Sequence, residues 1–509
     1  MTFLALGRPA TLLISALLLA GCAVGPDYKT PQLNVPAHWG SKKPKTAPRP
    51  PELAQWWKRL RDPVLDGLVD EAVAGNLDVA TAKAKIREAR ASYRQAVGTL
   101  LPGVDGSASL TRSDNGSNVS SGGDVTVAGP FTQYQAGLDA SWEVDLFGAN
   151  RRAVEAARYG LDAAEEDLRA TLLTLVGDVA NYYVQARSAQ ARAALARRTA
   201  ASQRETAALT RTQYNAGSAS GVDVANASGQ AASTEANIPT YEAAYAEAVH
   251  RLSVLTGQAP AALILRMNAA RPIPTPRLPM PTGIPADILL ARPDVRVAER
   301  QYAQSTALIG EAEAALYPSI SLTGSVSSTG TKLGDLAKSS SISWSIGPSL
   351  TVPIFNGGQL RAAVDVTEAQ RDQSFIAYRA SVLTALEDVE NAIVSLSQER
   401  IRQGTLSTSV QHYREATRLS RALYQSGSSS FLDVLDSERS LYSAEDSLIE
   451  SRASIATDYI ALNKALGGGW DGTINSSKPE VVDTNTGPHF ATAPSPRQPS
   501  PQQPSPNAP

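Results

Sequence analysis

The side chains able to do chemistry are few and scattered. Four histidines stand far apart at His38, His250, His412 and His489, and Cys22 is the only cysteine, so no C-x-x-C or H-E-x-x-H cluster exists to hold a catalytic metal. There is no nucleophile elbow, no phosphate loop and no histidine beside a pair of carboxylates, which argues against an enzyme. Two placements remain. Cys22 sits where removal of a leader would make it the first residue. Asp433 and Asp436 lie three residues apart, on one face of a helix that follows a glycine turn at Gly427. A three-fold axis would make rings of such carboxylates around a lumen, favouring cations.

The first 21 residues read as an address. Arg8 precedes an apolar run from Thr11 to Ala20, about ten residues long and too short to cross a bilayer as a helix. It ends in Leu19-Ala20-Gly21-Cys22, which resembles the lipobox of bacterial lipoproteins. That resemblance implies a covalent diacylglycerol and an N-acyl lipid on Cys22, with no other cofactor. Each buried CH₂ would contribute about 0.8 kcal/mol of anchoring. Ala23 stands where an Asp marks inner-membrane retention in such proteins, so the implied destination is the outer membrane.

The 509 residues carry 47 Lys and Arg against 49 Asp and Glu, a formal charge of −2 that gives no footprint for nucleic acid. Aromatic residues are sparse and small apolar ones abundant, which suits close helix packing more than a thick globular core. After the signal (1–21) and a Pro-rich, lipid-anchored segment (22–61), the chain reads as two copies of one plan, 62–257 and 286–470. A Pro-rich linker (258–285) joins them, and a Pro/Ser/Gln-rich tail (471–509) lacks the apolar residues to fold alone. The offset is about 210 residues, the separation of Gly217 and Gly427. Each copy predicts a helix, two strands, a very long helix, a turn and a shorter helix. From Asn150 to Tyr214 and from Gln359 to Gln425 there is no proline, and at 1.5 Å per residue each run would extend roughly 100 Å. Such helices should pair as coiled-coil hairpins across the Gly217 and Gly427 turns.

From Tyr134 to Leu146, and from Ile342 to Ile354, apolar and polar residues alternate with period two, and each run has a weaker partner, Val104 to Thr111 and Ile320 to Ser328. One apolar face with an aromatic, opposite one polar face, is the requirement of a membrane barrel strand. Four strands cannot close a barrel, because unpaired edges in lipid cost several kcal/mol per group. Three copies would supply about twelve strands, enough for a water-filled lumen. The predicted fold is therefore an α+β membrane protein, a homotrimeric 12-stranded outer-membrane β-barrel continued by a periplasmic α-helical coiled-coil barrel. The Gly/Ser-rich stretch from Asn115 to Gly123 is expected outside the cell.

Six segments together carry a resemblance over nearly the whole mature chain: Leu19-Ala20-Gly21-Cys22, Gly25-Pro26-Asp27-Tyr28, Ala291-Arg292-Pro293-Asp294-Val295 with Ala298-Glu299, Tyr317-Pro318, Val352-Pro353-Ile354-Phe355, and Phe431-Leu432-Asp433-Val434-Leu435-Asp436. The sequence resembles the TolC-type outer-membrane factors, in their lipoprotein branch of OprM-like and NodT-like channels. The resemblance implies a trimeric exit duct set in outer-membrane lipid, served by a periplasmic adaptor and an inner-membrane pump of the resistance-nodulation-division class. It implies that Leu432, Asp436 and Arg439 constrict the tip, and that Tyr424, Asp223 and Asp433 take part in gate contacts. Where TolC has a gating arginine just after the turn glycine, this chain has Ser429. Type I protein secretion and metal-ion efflux remain alternatives within the channel class. A lipid-anchored coiled-coil scaffold is the alternative outside it, and it leaves the alternating strands unexplained.

Overall fold

A computed structural model describes residues 23–33, 53–114, 117–119, 125–127, 130–276, 286–469, 471–472 and 474–477. The signal segment with Cys22, residues 277–285 of the linker and nearly all of the tail lie outside these residues.

The duplication is repeated element by element. After α1 (Pro63–Gly75), the first repeat runs α2 (Leu77–Gly98), β1 (Gly103–Ser113), β2 (Phe131–Val144), α3 (Ala149–Asn215) and α4 (Gly221–Leu255). The second runs α5 (Pro293–Ala314), β3 (Ser319–Gly330), β4 (Ile342–Thr351), α6 (Gln359–Gln425) and α7 (Phe431–Ala465). The helices match in length, at 22, 67 and 35 residues in both repeats.

Local chemistry sets the boundaries. Asn76 caps α2 by accepting from the amides of Asp78 and Val79, and Pro293 opens α5 at its first turn, where no amide partner is needed. The long helices end in one device. Gly217 (φ +81°) and Gly427 (φ +75°) adopt the left-handed conformation that only glycine takes without strain. Around them Ser218 N donates to Gln213 O at 2.9 Å and Ser428 N to Leu423 O at 2.8 Å, satisfying carbonyls that the helix end would leave open. The helix α4 continues through Pro239.

The four long strands form one antiparallel sheet in the order β1-β2-β3-β4, with β2 and β3 joining the two repeats. Its register puts the two alternating sets on opposite faces. One row crosses Gly106, Leu138, Val326 and Trp344; the next crosses Asp105, Asp139, Ser325 and Ser345. The polar face is knitted by Ser325–Ser345 (2.9 Å) and Ser327–Ser343 (3.1 Å) hydroxyl pairs. The apolar face is bare: Trp344 is 72% and Ile346 69% exposed. β4 stops at Thr351, short of the expected Ile354, because Pro353 has no amide to donate. Residues 117–119 pair with 125–127 as a short hairpin beyond β1.

Below the sheet, α3 and α4 pair as one hairpin and α6 and α7 as the other, with α5 and α7 packed on α3. The largest buried cluster lies at mid-height, where Leu65, Leu68 and Val69 of α1 meet Leu172 to Val184 of α3, Tyr378 to Val389 of α6 and Ile455 to Ile460 of α7. Trp56 and Trp57, in the segment expected to be only a Pro-rich lead-in, are buried in this cluster. Among the described residues no helix is long and apolar enough to cross a membrane, which says nothing against a barrel.

Candidate functional site

The two glycine turns bring the candidate gate residues to the end of the molecule opposite the sheet. Each turn is followed by a serine-aspartate cap. Ser220 Oγ accepts from Asp223 N (3.1 Å) while Ser220 N donates to Asp223 Oδ2 (3.0 Å), the reciprocal box that starts α4. At α7, Asp433 Oδ2 accepts from Ser429 Oγ (2.6 Å), Ser430 N (3.2 Å) and Ser430 Oγ (3.1 Å). These donors, Ser429 first, hold the Asp433 carboxyl below its ordinary range. Ser429, the departure from the family pattern, is thus tied into the cap.

Asp433 and Asp436 share a helix face but not an environment. Asp433 is folded back on the turn, whereas Asp436 and Arg439 project from α7 with no ion pair among the described residues. Leu432, Asp436 and Arg439, spaced four and three apart, form one exposed stripe. Tyr424 points the other way. Its ring lies 5.6 Å from that of Phe431 inside a small buried cluster with Ala227, Val434 and Leu435. Its hydroxyl donates across the repeats to Thr210 Oγ1 on α3 at 3.4 Å.

The strongest tie between the repeats at this end was not anticipated from sequence. Glu438, 5% exposed, accepts from Arg421 Nε (2.8 Å) on α6 and from Thr206 Oγ1 (3.0 Å) on α3, while Arg421 Nη2 donates to Ser202 Oγ (2.7 Å) on α3. A signal did exist. Glu438 continues the apolar stripe of Phe431, Val434 and Leu435 at helical spacing, and a charge on such a face needs a partner. Further up, Arg192 of α3 makes a bidentate pair with Asp446 of α7 (2.8 and 2.7 Å), its guanidinium 4.6 Å from the ring centre of Tyr241 on α4.

At the other end, Cys22 lies outside the described residues, but Ala23 does not: a Cβ on Gly148 would meet Ala23 Cα at 2.8 Å. The residue after Cys22 therefore sits where β2 hands over to α3.

Comparison with known proteins agrees with this geometry. Residues 68–258 and 284–468, one stretch per repeat, match the family described as outer membrane efflux protein. The chain is 36% identical over 457 residues to nodulation protein T of Rhizobium leguminosarum bv. trifolii, covering 90% of this chain and 96% of that one. It is 34% identical over 477 residues to the solvent efflux pump outer membrane protein SrpC of Pseudomonas putida, covering 91% and 98%. The solved outer-membrane channel OprN superposes with a TM-score of 0.81 at 34% identity, over 88% of this chain and all of that one. These relatives are channel proteins, not enzymes. The chain belongs to the outer membrane efflux protein family and has its fold, in which the strands of three subunits form an outer-membrane β-barrel and their long helices continue it into the periplasm.

Proposed function

We propose that this chain is the outer-membrane exit duct of a tripartite efflux system, a gated trimer that passes small molecules, drugs or toxic compounds, to the medium. A periplasmic adaptor and an inner-membrane pump of the resistance-nodulation-division class deliver the cargo. Acyl chains on Cys22 add an anchor beside the barrel, consistent with the position of Ala23 against Gly148.

The observation that carries this reading is the continuity of one polar surface with one closable end. The sheet face of Asp105, Asp139, Glu143 and the serine rows gives a wet lining, and two 67-residue helices lead from it to a tip held by contacts between repeats. A tube open at both ends would breach the outer membrane, so the tip must rest closed. Asp223 and Asp433 keep each turn rigid through its cap. Tyr424 with Thr210, and Glu438 with Thr206, hold the second-repeat hairpin against the first. Closure then presents the stripe of Leu432, Asp436 and Arg439 to the three-fold axis, where apolar and charged rings narrow the path. Opening is a swing of the tips of α6 and α7 away from α3, below the Arg192–Asp446 pair, which breaks these two contacts and the bond from Arg421 to Ser202.

A photo-crosslinker at Val222, exposed beside the first turn, tests the pathway in living cells. Capture of an efflux adaptor is the expected result. Capture of a type I secretion adaptor instead would overturn the small-molecule reading.

A further inference from the structure

A short strap ahead of the first helix is fastened far more tightly than a linker requires. Val24 N donates to Phe147 O at 3.0 Å. Arg152, in the first turn of α3 and 5% exposed, donates to Val24 O (3.1 Å), Gly25 O (3.2 Å) and Asp27 Oδ1 (2.8 Å), and its remaining terminal nitrogen takes Glu155 (2.7 Å). Gly25 (φ +87°) lies directly on Gly310 of α5, where a Cβ would fall 2.3 Å from Gly310 Cα. A Cβ on Gly310 would strike Val24 O and Arg152 Cγ at 2.8 Å each. Two glycines, one on the strap and one on α5, thus make room for one backbone crossing. Tyr28 then inserts edge-on between Tyr159 of α3 (5.6 Å) and Tyr302 of α5 (5.7 Å), and its hydroxyl donates to Glu299 of α5, which is 7% exposed and paired with Arg300 (2.6 Å). Apart from Phe147, just ahead of α3, every one of these partners is on α3 or α5, one helix from each repeat.

The place matters as much as the strength. β2 ends at Val144 and α3 begins at Ala149; α5 ends at Ala314 and β3 begins at Ser319. The strap therefore binds the two helices that leave and enter the β2–β3 seam, whose last register pair is Val144 with Ile320. Beside it Phe147, the residue that receives Val24, stacks on Tyr317 at 4.6 Å. That seam is the one strand pairing of this sheet that joins the repeats; β1–β2 and β3–β4 are each confined to a single repeat. A hairpin brings its own strands together, but nothing local in sequence brings β2 to β3, because the whole α3–α4 hairpin and the linker lie between them. A one-residue slip there would turn one repeat's apolar face into the lumen.

We infer that residues 23–28 are an inter-repeat clasp: by pinning the first three turns of α3, from Arg152 to Tyr159, to α5 between Glu299 and Gly310, they set the register of the β2–β3 seam and so make the sheet competent to pair its outer edges with neighbouring chains. The clasp acts through position alone, and its role is separate from that of the acyl chains on Cys22 and from the gate.

Disulfide trapping in the full-length, membrane-inserted protein tests this. Ser141→Cys with Thr323→Cys reports the seam, and Ser109→Cys with Gln135→Cys reports the β1–β2 hairpin, since each couple is a register pair. In Gly25→Val, whose Cβ would collide with Gly310, and in Tyr28→Ala, which loses both the ring between Tyr159 and Tyr302 and the bond to Glu299, seam trapping falls about tenfold while hairpin trapping is retained. Tyr28→Phe, which keeps the ring between Tyr159 and Tyr302 and loses only the bond to Glu299, traps the seam better than Tyr28→Ala. Seam trapping at the unmodified level in both Gly25→Val and Tyr28→Ala overturns the clasp. So does parallel loss of both couples in both variants, which would make the strap a general stabiliser of the sheet.

Discussion

Removing two of the α3 hydroxyls that tie the second-repeat hairpin to the first repeat, those of Ser202 and Thr206, should open the tip without unfolding it. In Ser202→Ala with Thr206→Val, Glu438 keeps its ion pair with Arg421 (2.8 Å) inside the second repeat, but two bonds that cross between repeats, Arg421 to Ser202 (2.7 Å) and Thr206 to Glu438 (3.0 Å), are gone. A hydrogen bond to a charged group contributes about 1.5–3 kcal/mol. Arg421 has 37% of its side chain exposed, so water recovers part of the loss, and about 1 kcal/mol per bond is the appropriate figure. Two bonds give about 2 kcal/mol per chain, and three chains opening together give about 6 kcal/mol, a shift of roughly 10⁴ in the closed-to-open ratio. Planar-bilayer recording reads this as larger or longer openings, and cells carrying the variant become sensitive to vancomycin, which the closed tip excludes. Arg421→Ala should act in the same direction and more strongly, because it also leaves Glu438 buried without its cation. An intact trimer of the double variant whose conductance and vancomycin exclusion match the unmodified protein would refute the assignment of these contacts to closure.

Other perturbations have narrower effects. Asp433→Ala removes the cap of α7, so amide exchange at residues 430–434 should accelerate about tenfold while the rest of the helix is unaffected. The same carboxyl predicts pH behaviour: its pKa is depressed by Ser429 and Ser430, so the cap is fully formed above the ordinary carboxylate range and is lost only as pH falls below it. Acidification from about pH 7 to pH 5 should then leave the exchange of these amides, corrected for intrinsic rate, unchanged. Asp436→Ala with Arg439→Ala strips the charge from the exposed stripe, and single-channel recording should show higher conductance with weaker cation preference. Cys22→Ser should abolish labelling by radioactive palmitate; persistent label would place the lipid elsewhere.

Much of this architecture could be read before any coordinates, and the remainder fails for one physical reason. The long helices are legible because each is a run without proline that stops at a glycine, and Gly217 and Gly427 do take positive φ. The strands are legible because period-two alternation survives pairing, with Pro353 marking an end that the alternation alone runs past. Pairings between distant segments leave no such mark. Arg421 and Glu438 face each other across a turn, and both reach α3, at Ser202 and Thr206, more than 200 residues away in sequence. Gly25-Pro26-Asp27-Tyr28 is visible as a family marker, yet the reason for its glycine is Gly310, which no local pattern indicates. Trp56 and Trp57 carry no local mark of burial either, because the partners that bury them, Tyr459 and Gly468 among them, are about 400 residues away.

The duplication itself argues for which hairpin moves. Since the helices have identical lengths, residues 210 apart occupy corresponding places, and their differences are differences of role rather than of scaffold. The caps are kept: Asp223 and Asp433 close matching serine boxes. The exposed apolar residue after each turn is kept too, Val222 in one and Leu432 in the other. What differs is the chemistry around and just beyond each turn. Tyr424 is buried against the neighbouring repeat, whereas its counterpart Tyr214 is 45% exposed; Phe431 corresponds to Gly221, Asp436 to Asn226, Glu438 to Ser228 and Arg439 to Gly229. Every anchoring aromatic and both charges of the exposed stripe are on the second-repeat hairpin, and the first repeat supplies neutral polar and small residues, Thr206, Thr210 and Ala227, as its seat. The tip of this hairpin, below the Arg192–Asp446 pair, can leave that seat without stranding a buried charge on it, since Glu438 departs together with Arg421. For the proposed gate, this asymmetry favours motion of the tips of α6 and α7 against a wall made by α3 and α4.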